Sequence, residues 1–123
     1  MQLTKTEEQL MQYLWEKETA FMKDLIEAYP EPKPAATTIA TLLKRMTDKN
    51  FVSYKLYGNS REYYALVGKT DYFSKHVNGL IKNFFNDSVS QFASFFTKET
   101  AMTEAQLEEL KKIIDQEIKK KKP

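Results

Sequence analysis

The chain has 123 residues, of which 41% are hydrophobic and 29% are charged, with no cysteine, one histidine and a formal net charge of +2. This length suits one ordinary core or a module of about 65 residues with a helical appendage. The lack of cysteine excludes disulfides and thiolate metal sites, and no nucleophile–base pair, metal cluster or phosphate loop can be identified, so we expect neither an enzyme nor a bound cofactor. No apolar run is long enough to span a membrane and no signal peptide opens the chain, so we expect a cytoplasmic protein without stable membrane association.

The charge is distributed unevenly along the chain. Residues 1–32 contain three basic and seven acidic side chains, a net charge of −4. Residues 33–61 contain six basic side chains and one acidic side chain, a net charge of +5. The basic middle section is therefore the part that can meet phosphate.

Two short helices are predicted in the acidic section. The first extends from about Lys5 to Glu18, and Thr4 and Glu7 have the spacing of a capping box at its start. The second extends from about Phe21 to Tyr29 and ends at the prolines that follow. Apolar side chains recur at helical spacing in both: Leu10, Met11, Leu14 and Trp15 in the first, and Phe21, Met22, Leu25 and Ile26 in the second.

A third helix, from about Ala35 to Lys49, has two distinct faces. Its core face is formed by Ile39, Leu42, Leu43 and Met46. The opposite face contains Thr37, Ala40, Thr41, Lys44 and Asp48, with Thr38 and Arg45 on one flank. Small, hydroxylated and basic side chains of this kind let a helix approach the major groove of DNA. Because Asp48 is negatively charged and lies near the C-terminal end, we expect the N-terminal part of the helix to enter the major groove first.

Two β-rich runs, Phe51 to Tyr57 and Arg61 to Val67, surround the turn-forming Gly58-Asn59-Ser60 and predict a hairpin. Three helices and a hairpin form either an ordinary small α+β domain or a winged helix-turn-helix domain. The clustered charge and the third-helix face favour the second, with the DNA-binding domain at residues 1–68. The residues expected to contact DNA are Lys33, Thr37, Thr38, Thr41, Lys44, Arg45, Lys55 and Arg61.

Residues 69–123 are predicted to be helical, so the fold class is mainly α with a small β-hairpin wing. Their aromatic and aliphatic side chains exceed what short helices can bury alone, and a second copy is the commonest partner. We therefore expect a dimerisation region. A small-molecule pocket within the phenylalanine-rich residues 84–96 is the alternative. The expected dimer contacts are Phe73, Val77, Leu80, Ile81, Phe84, Phe92, Phe95, Phe96, Leu107, Leu110, Ile113 and Ile114.

From Leu3 to about Asp115 the chain resembles the penicillinase-repressor family of BlaI/MecI type. The resemblance rests on four segments in order: Thr6 to Trp15 (TEEQLMQYLW), Thr38 to Met46 (TIATLLKRM), Lys49 to Val52 (KNFV) and Arg61 to Val67 (REYYALV). No single segment is specific, but the ordered set is.

The resemblance implies a dimeric repressor on inverted-repeat operators, released when a membrane-bound zinc protease sensor triggers cleavage in the dimerisation region. Family members frequently have Gly where this chain has Asn50, which also adopts the left-handed conformation at helix ends. The family's scissile segment, Asn-Phe-Val-Glu-Lys-Glu, corresponds to Ser94-Phe95-Phe96-Thr97-Lys98-Glu99, so cleavage is expected at Ser94–Phe95 or Phe95–Phe96. The alternatives are that Phe95 and Phe96 are only core, that a small apolar ligand controls the protein, or that the domain binds proteins instead of DNA.

Overall fold

Residues 2–123, the part of the chain that this computed structural model describes, form six α-helices and three β-strands. In chain order these are α1 (Lys5–Lys17), β1 (Thr19–Phe21), α2 (Met22–Ala28), α3 (Ala36–Asp48), β2 (Val52–Tyr57), β3 (Ser60–Ala65), α4 (Lys69–Phe84), α5 (Val89–Glu99) and α6 (Glu104–Lys121). The predicted class, mainly helical with a small antiparallel sheet, is confirmed. Over the same residues, no helix combines the length and apolar character needed to cross a bilayer.

Helix α1 begins with the predicted capping box. The Thr4 hydroxyl oxygen accepts a hydrogen bond from the Glu7 amide at 3.2 Å, and the Glu7 carboxylate accepts one from the Thr4 amide at 2.9 Å. Both N–H groups would otherwise lack a partner at the start of the helix. A cap of this kind stabilises a protein by about 1 kcal/mol, and it determines the residue at which α1 begins.

The core of the first compact unit, which extends to His76, forms between α1, α2 and α3. All four α3 residues predicted to face it are buried: Ile39, Leu42, Leu43 and Met46. They pack with solvent-inaccessible side chains of α1 and α2: Leu10, Met11, Leu14 and Leu25. Burying one such side chain contributes roughly 1.5–3 kcal/mol. Burial of this face therefore leaves the residues on the opposite side of α3 exposed to solvent.

The chain reverses after α3 at Asn50, whose φ is 64°. The Asn50 amide donates to the Thr47 carbonyl and the Phe51 amide donates to the Met46 carbonyl, each at 3.0 Å. These two bonds form a Schellman motif, which places a left-handed residue at this position. The prediction that Asn50 adopts this conformation is confirmed.

The predicted hairpin is present, and the sheet has one strand that was not predicted. β2 and β3 pair around Gly58 and Asn59, and β1 pairs with the other edge of β3 in the order β1-β3-β2. Phe21, expected to start the second helix, belongs to β1, and α2 begins at Met22. Three residues are too few to show an alternating pattern. Pairing with β3 and the burial of Ala20 stabilise this strand.

Strand pairing divides the side chains of the wing, which comprises β2, β3 and their turn, between two faces. Arg61 lies opposite Leu56, whereas Lys55 lies opposite Glu62. Successive side chains of a strand point to opposite faces of the sheet. Arg61 and Lys55, both expected to contact DNA, therefore lie on opposite faces of the wing.

The beginning of α4 belongs to the first unit through Tyr72. The buried Tyr72 hydroxyl accepts a hydrogen bond from the Leu3 amide at 2.9 Å and donates one to the Glu8 carboxylate at 2.8 Å. Its ring contacts that of Phe51, and burial raises the pKa of the Tyr72 hydroxyl. The expected division into functional domains at residues 68 and 69, where α4 begins, stays a prediction; by compactness, the first unit ends at His76, within α4.

The second unit begins at Val77 and contains the remainder of α4 together with α5 and α6. No residue of Val89–Glu99 or Glu104–Lys121 is buried. The most exposed large apolar side chains in this unit are between 47% and 75% accessible: Phe84, Val89, Phe95, Ile113, Ile114 and Ile118. A single chain therefore leaves much of the apolar surface of these helices open to solvent.

The left-handed turn at Asn50 can be tested by substitution. Asn50→Gly should raise the free energy of unfolding by up to about 1 kcal/mol, because glycine adopts a positive φ without a Cβ clash. Asn78→Gly, the same change on the exposed surface of α4, should lower it, because glycine is a poorer helix former than asparagine. Urea unfolding of both variants provides the comparison. Equal losses of stability would contradict a special role for residue 50.

Candidate nucleic-acid interface

The exposed face of α3 presents hydroxyl and basic side chains to solvent. Thr37, Thr38, Thr41 and Lys44 are all exposed, because the core residues of α3 occupy its other face. The Thr41 hydroxyl donates to the Thr37 carbonyl at 2.9 Å. Its oxygen lone pairs remain available to accept a hydrogen bond from an adenine or cytosine amino group in the major groove.

Lys44 is paired with an acidic neighbour on the helix surface. Its Nζ lies 3.4 Å from Oδ2 of Asp48, and the two side chains are 80% and 66% exposed. A pair this exposed contributes only about 0–1 kcal/mol, so Lys44 can exchange its partner for a phosphate. The Asp48 carboxylate repels phosphate at the C-terminal end of α3, which favours close approach by the N-terminal half.

A groove of about 490 Å³ lies between α3 and the wing, lined by Ala40, Lys44, Thr47, Asp48, Tyr54, Arg61 and Tyr63. The Arg61 guanidinium lies over the Tyr54 ring, 4.4 Å from its centre. This cation–π contact holds Arg61 on the face of the wing that borders the groove. The structure thus places Lys44 and Arg61 on one groove, while Lys55 lies on the other face of the wing.

Lys33 occupies a different position from the other basic residues expected to contact DNA. Its Nζ donates to the backbone carbonyls of Glu27 and Tyr29 at the end of α2. Carbonyls at the end of a helix need such partners, and a cation there also interacts favourably with the helix dipole. Lys33 does not line the groove between α3 and the wing.

Glu7 is a buried carboxylate that lies against the flank of α3. It is fully inaccessible to solvent, and its two oxygens accept hydrogen bonds from Lys49 Nζ at 2.8 and 3.1 Å. One guanidinium nitrogen of Arg45 lies 3.9 Å from Glu7 Oε2, while 49% of the Arg45 side chain remains exposed. The sequence assigned Glu7 only to the capping box. The sequence feature that could have indicated a buried acidic partner is the i, i+4 spacing of Arg45 and Lys49 beside the core face of α3.

The charge state of Glu7 follows from these contacts. Burial raises the pKa of Glu7, but hydrogen bonds from Lys49 and Thr4 and the positive charge of Lys49 lower it. The net result is a pKa below the ordinary value of 4.5. Glu7 is therefore an ionised carboxylate at neutral pH.

The residues expected in a dimer interface divide into two groups. The Phe73 ring packs against Trp15 and Tyr72 in the first unit, although Phe73 is still 37% exposed, and Ile81 is buried. The others are exposed or half-buried: Val77, Leu80, Phe84, Phe92, Phe95, Phe96, Leu107, Leu110, Ile113 and Ile114. The expected cleavage residues, Ser94 to Phe96, lie inside α5.

Three helices and a wing, with a basic and hydroxylated third helix facing solvent, define a winged helix-turn-helix domain. A family model described as Penicillinase repressor matches residues 3–116. The chain belongs to the penicillinase repressor family, which places it among DNA-binding transcriptional repressors and not in an enzyme family. The search of curated proteins found no match to this chain.

The pKa of Glu7 leads to a prediction about stability at acid pH. A carboxylate whose pKa is lowered by folding contributes stability above its unfolded pKa, and this contribution is lost as the pH falls through the folded value. The free energy of unfolding of the wild type relative to Glu7→Gln should therefore decrease as the pH falls below about 4.5. Urea titrations from pH 7 to pH 3 measure this difference, with Glu108→Gln on α6 as the control for loss of a carboxylate. A difference that stays constant or grows towards pH 3 would be incompatible with this account.

Proposed function

We propose that this protein is a sequence-specific repressor that binds inverted-repeat operators as a homodimer in the bacterial cytoplasm. The observation that carries the proposal is the exposed face of α3, where three threonines precede Lys44, and Lys44 in turn lines a groove with Arg61 of the wing. Membership of the penicillinase repressor family supports double-stranded DNA as the ligand.

The N-terminal half of α3 enters the major groove in this proposal. Thr37, Thr38 and Thr41 reach base edges, because their short side chains allow the helix backbone to come close. Lys44, Arg45 and Arg61 bind phosphates on either side of the helix and set its register.

Two further basic residues have peripheral roles. Lys55, on the outer face of the wing, meets the phosphates flanking the site. Lys33 already donates two hydrogen bonds to the end of α2 and has one N–H left for a phosphate. We therefore expect Lys33 to contribute less to affinity than Lys44 or Arg45.

A second copy of the chain covers the apolar surface of the second unit. Leu107, Ile114 and Ile118 lie on one side of α6 and are between 39% and 50% exposed. Their spacing of seven and four residues forms a stripe that a second helix can pack against. Because a two-fold dimer presents two equivalent recognition helices, it binds inverted half-sites about 10 bp apart.

The role of α3 can be tested with Lys44→Ala and Arg45→Ala. If both side chains bind phosphate, affinity should fall for operator and for non-operator duplexes, and the slope of log K against log salt should flatten by about one for each phosphate that is no longer bound. Fluorescence anisotropy at several salt concentrations measures both quantities. Lys17→Ala, at the end of α1, is the control for removal of one lysine. Unchanged binding in the double variant would remove α3 from the interface.

The dimer can be tested with Leu107→Lys combined with Ile114→Lys. Placing two charges in an apolar interface should give monomers by sedimentation, and operator affinity should fall on the order of 10²-fold as the linkage of two half-sites is lost. Glu109→Ser with Lys112→Ser changes two residues on the other side of α6 without altering net charge, and should remain dimeric. A charged-stripe variant that still sediments as a dimer would place the interface elsewhere.

Release from the operator occurs by proteolysis at Ser94–Phe95 or Phe95–Phe96 in this proposal, through a protease linked to a membrane sensor. Because this stretch lies in the middle of α5, the helix must unwind before a protease can bind it. Cleavage separates α6 from the rest of the dimer surface. Mass spectrometry of the protein from derepressed cells should show a fragment ending at Ser94 or Phe95, whereas an intact chain during full derepression would mean another route of release.

A further inference from the structure

The buried carboxylate of Glu7 connects the start of α1 to the end of α3. It accepts hydrogen bonds from the Thr4 amide at 2.9 Å and from Lys49 Nζ at 2.8 Å. A charge removed from water is expensive unless it is paired and hydrogen-bonded, and Glu7 has both kinds of partner. Since Lys49 is only 27% exposed, most of this ion pair is withdrawn from solvent.

Arg45 lies between this carboxylate and the solvent. Its nearer guanidinium nitrogen is 3.9 Å from Glu7 Oε2, which is within ion-pair distance but longer than a hydrogen bond. A guanidinium has five N–H donors arranged in a planar fork. A carboxylate on the inner side therefore restrains the group and leaves its outer donors free for a phosphate.

We propose that Glu7 is a positioning residue for operator recognition, which holds Lys49 inside the protein and orients Arg45 so that its outer edge meets a defined phosphate. The proposal rests on the DNA-binding function proposed above. Glu7 itself does not touch DNA in this arrangement, because its side chain is fully buried. Its effect passes through Arg45, one turn of α3 before Lys49.

Neutralising Glu7 has two effects on DNA affinity that act in opposite directions, and this makes the proposal testable. Removing a negative charge near the interface strengthens the general attraction for any DNA. Releasing Arg45 from a fixed geometry weakens only a contact that depends on register. Glu7→Gln should therefore reduce the preference for operator over non-operator DNA without weakening non-operator binding.

The experiment uses the full chain and two duplexes: the one most enriched by selection from random-sequence DNA, and one of the same composition with its sequence scrambled. Glu7→Gln should lower affinity for the selected duplex by roughly three- to tenfold, as expected when one charge-assisted hydrogen bond is weakened. Affinity for the scrambled duplex should not fall. In an Arg45→Ala background, Glu7→Gln should have no further effect on the preference. Glu16→Gln, on the exposed surface of α1, is the matched control.

The outcomes separate this proposal from the function on which it rests. If the wild type shows no preference for any selected duplex, the proposed function is wrong. If the wild type has a preference and Glu7→Gln keeps it, the positioning proposal is wrong. It is also wrong if Glu7→Gln reduces the preference equally with and without Arg45, because Glu7 then has only a structural role. Should Glu7→Gln fail to fold by circular dichroism, Arg45→Lys replaces it, since this variant keeps the charge but loses the fork. An unchanged preference in Arg45→Lys would also overturn the proposal.

Discussion

The turn at Asn50 and Phe51 sets the position of the wing relative to α3. The Phe51 amide closes α3 by donating to Met46, and the Phe51 carbonyl accepts a hydrogen bond from the Leu66 amide after β3 at 2.8 Å. The buried Phe51 ring also packs against Tyr72 at the start of α4. One residue thus joins α3, the end of the wing and the first turn of α4, and the groove that Lys44 and Arg61 border depends on this connection.

The basic residues of the middle section form two groups that net charge does not reveal. Lys49 and Lys33 direct their ammonium groups towards the protein, to a buried carboxylate and to the end of a helix respectively. Lys44 and Arg61 instead line the groove between α3 and the wing. Arg45 is intermediate, close to Glu7 but half exposed. Two of the six basic side chains in residues 33–61 therefore line the groove.

Local patterns in the sequence predicted much of this arrangement. The capping box, the core face of α3, the hairpin and the conformation of Asn50 depend on residues close together in the chain, and all are present. Contacts between distant residues were not predictable in this way. Glu7 and Lys49 are 42 residues apart, and Leu3 and Tyr72 are 69 apart. The inward direction of Lys49, the continuation of the first unit to His76 and the strand β1 each depend on such distant partners. Neither hydropathy nor helix or strand propensity, read residue by residue, identifies these distant partners.

The proposed function requires DNA to lie against the N-terminal half of α3 and the groove beside the wing. Backbone amide chemical shifts of the full chain, recorded while a selected duplex is added, test this most directly. We expect the largest changes on residues 36–45 of α3 and on the turn at Gly58 and Asn59, with small changes along the buried side of α1. Changes concentrated on α2, on the outer face of α1 or within α6, with α3 unaffected, would contradict it.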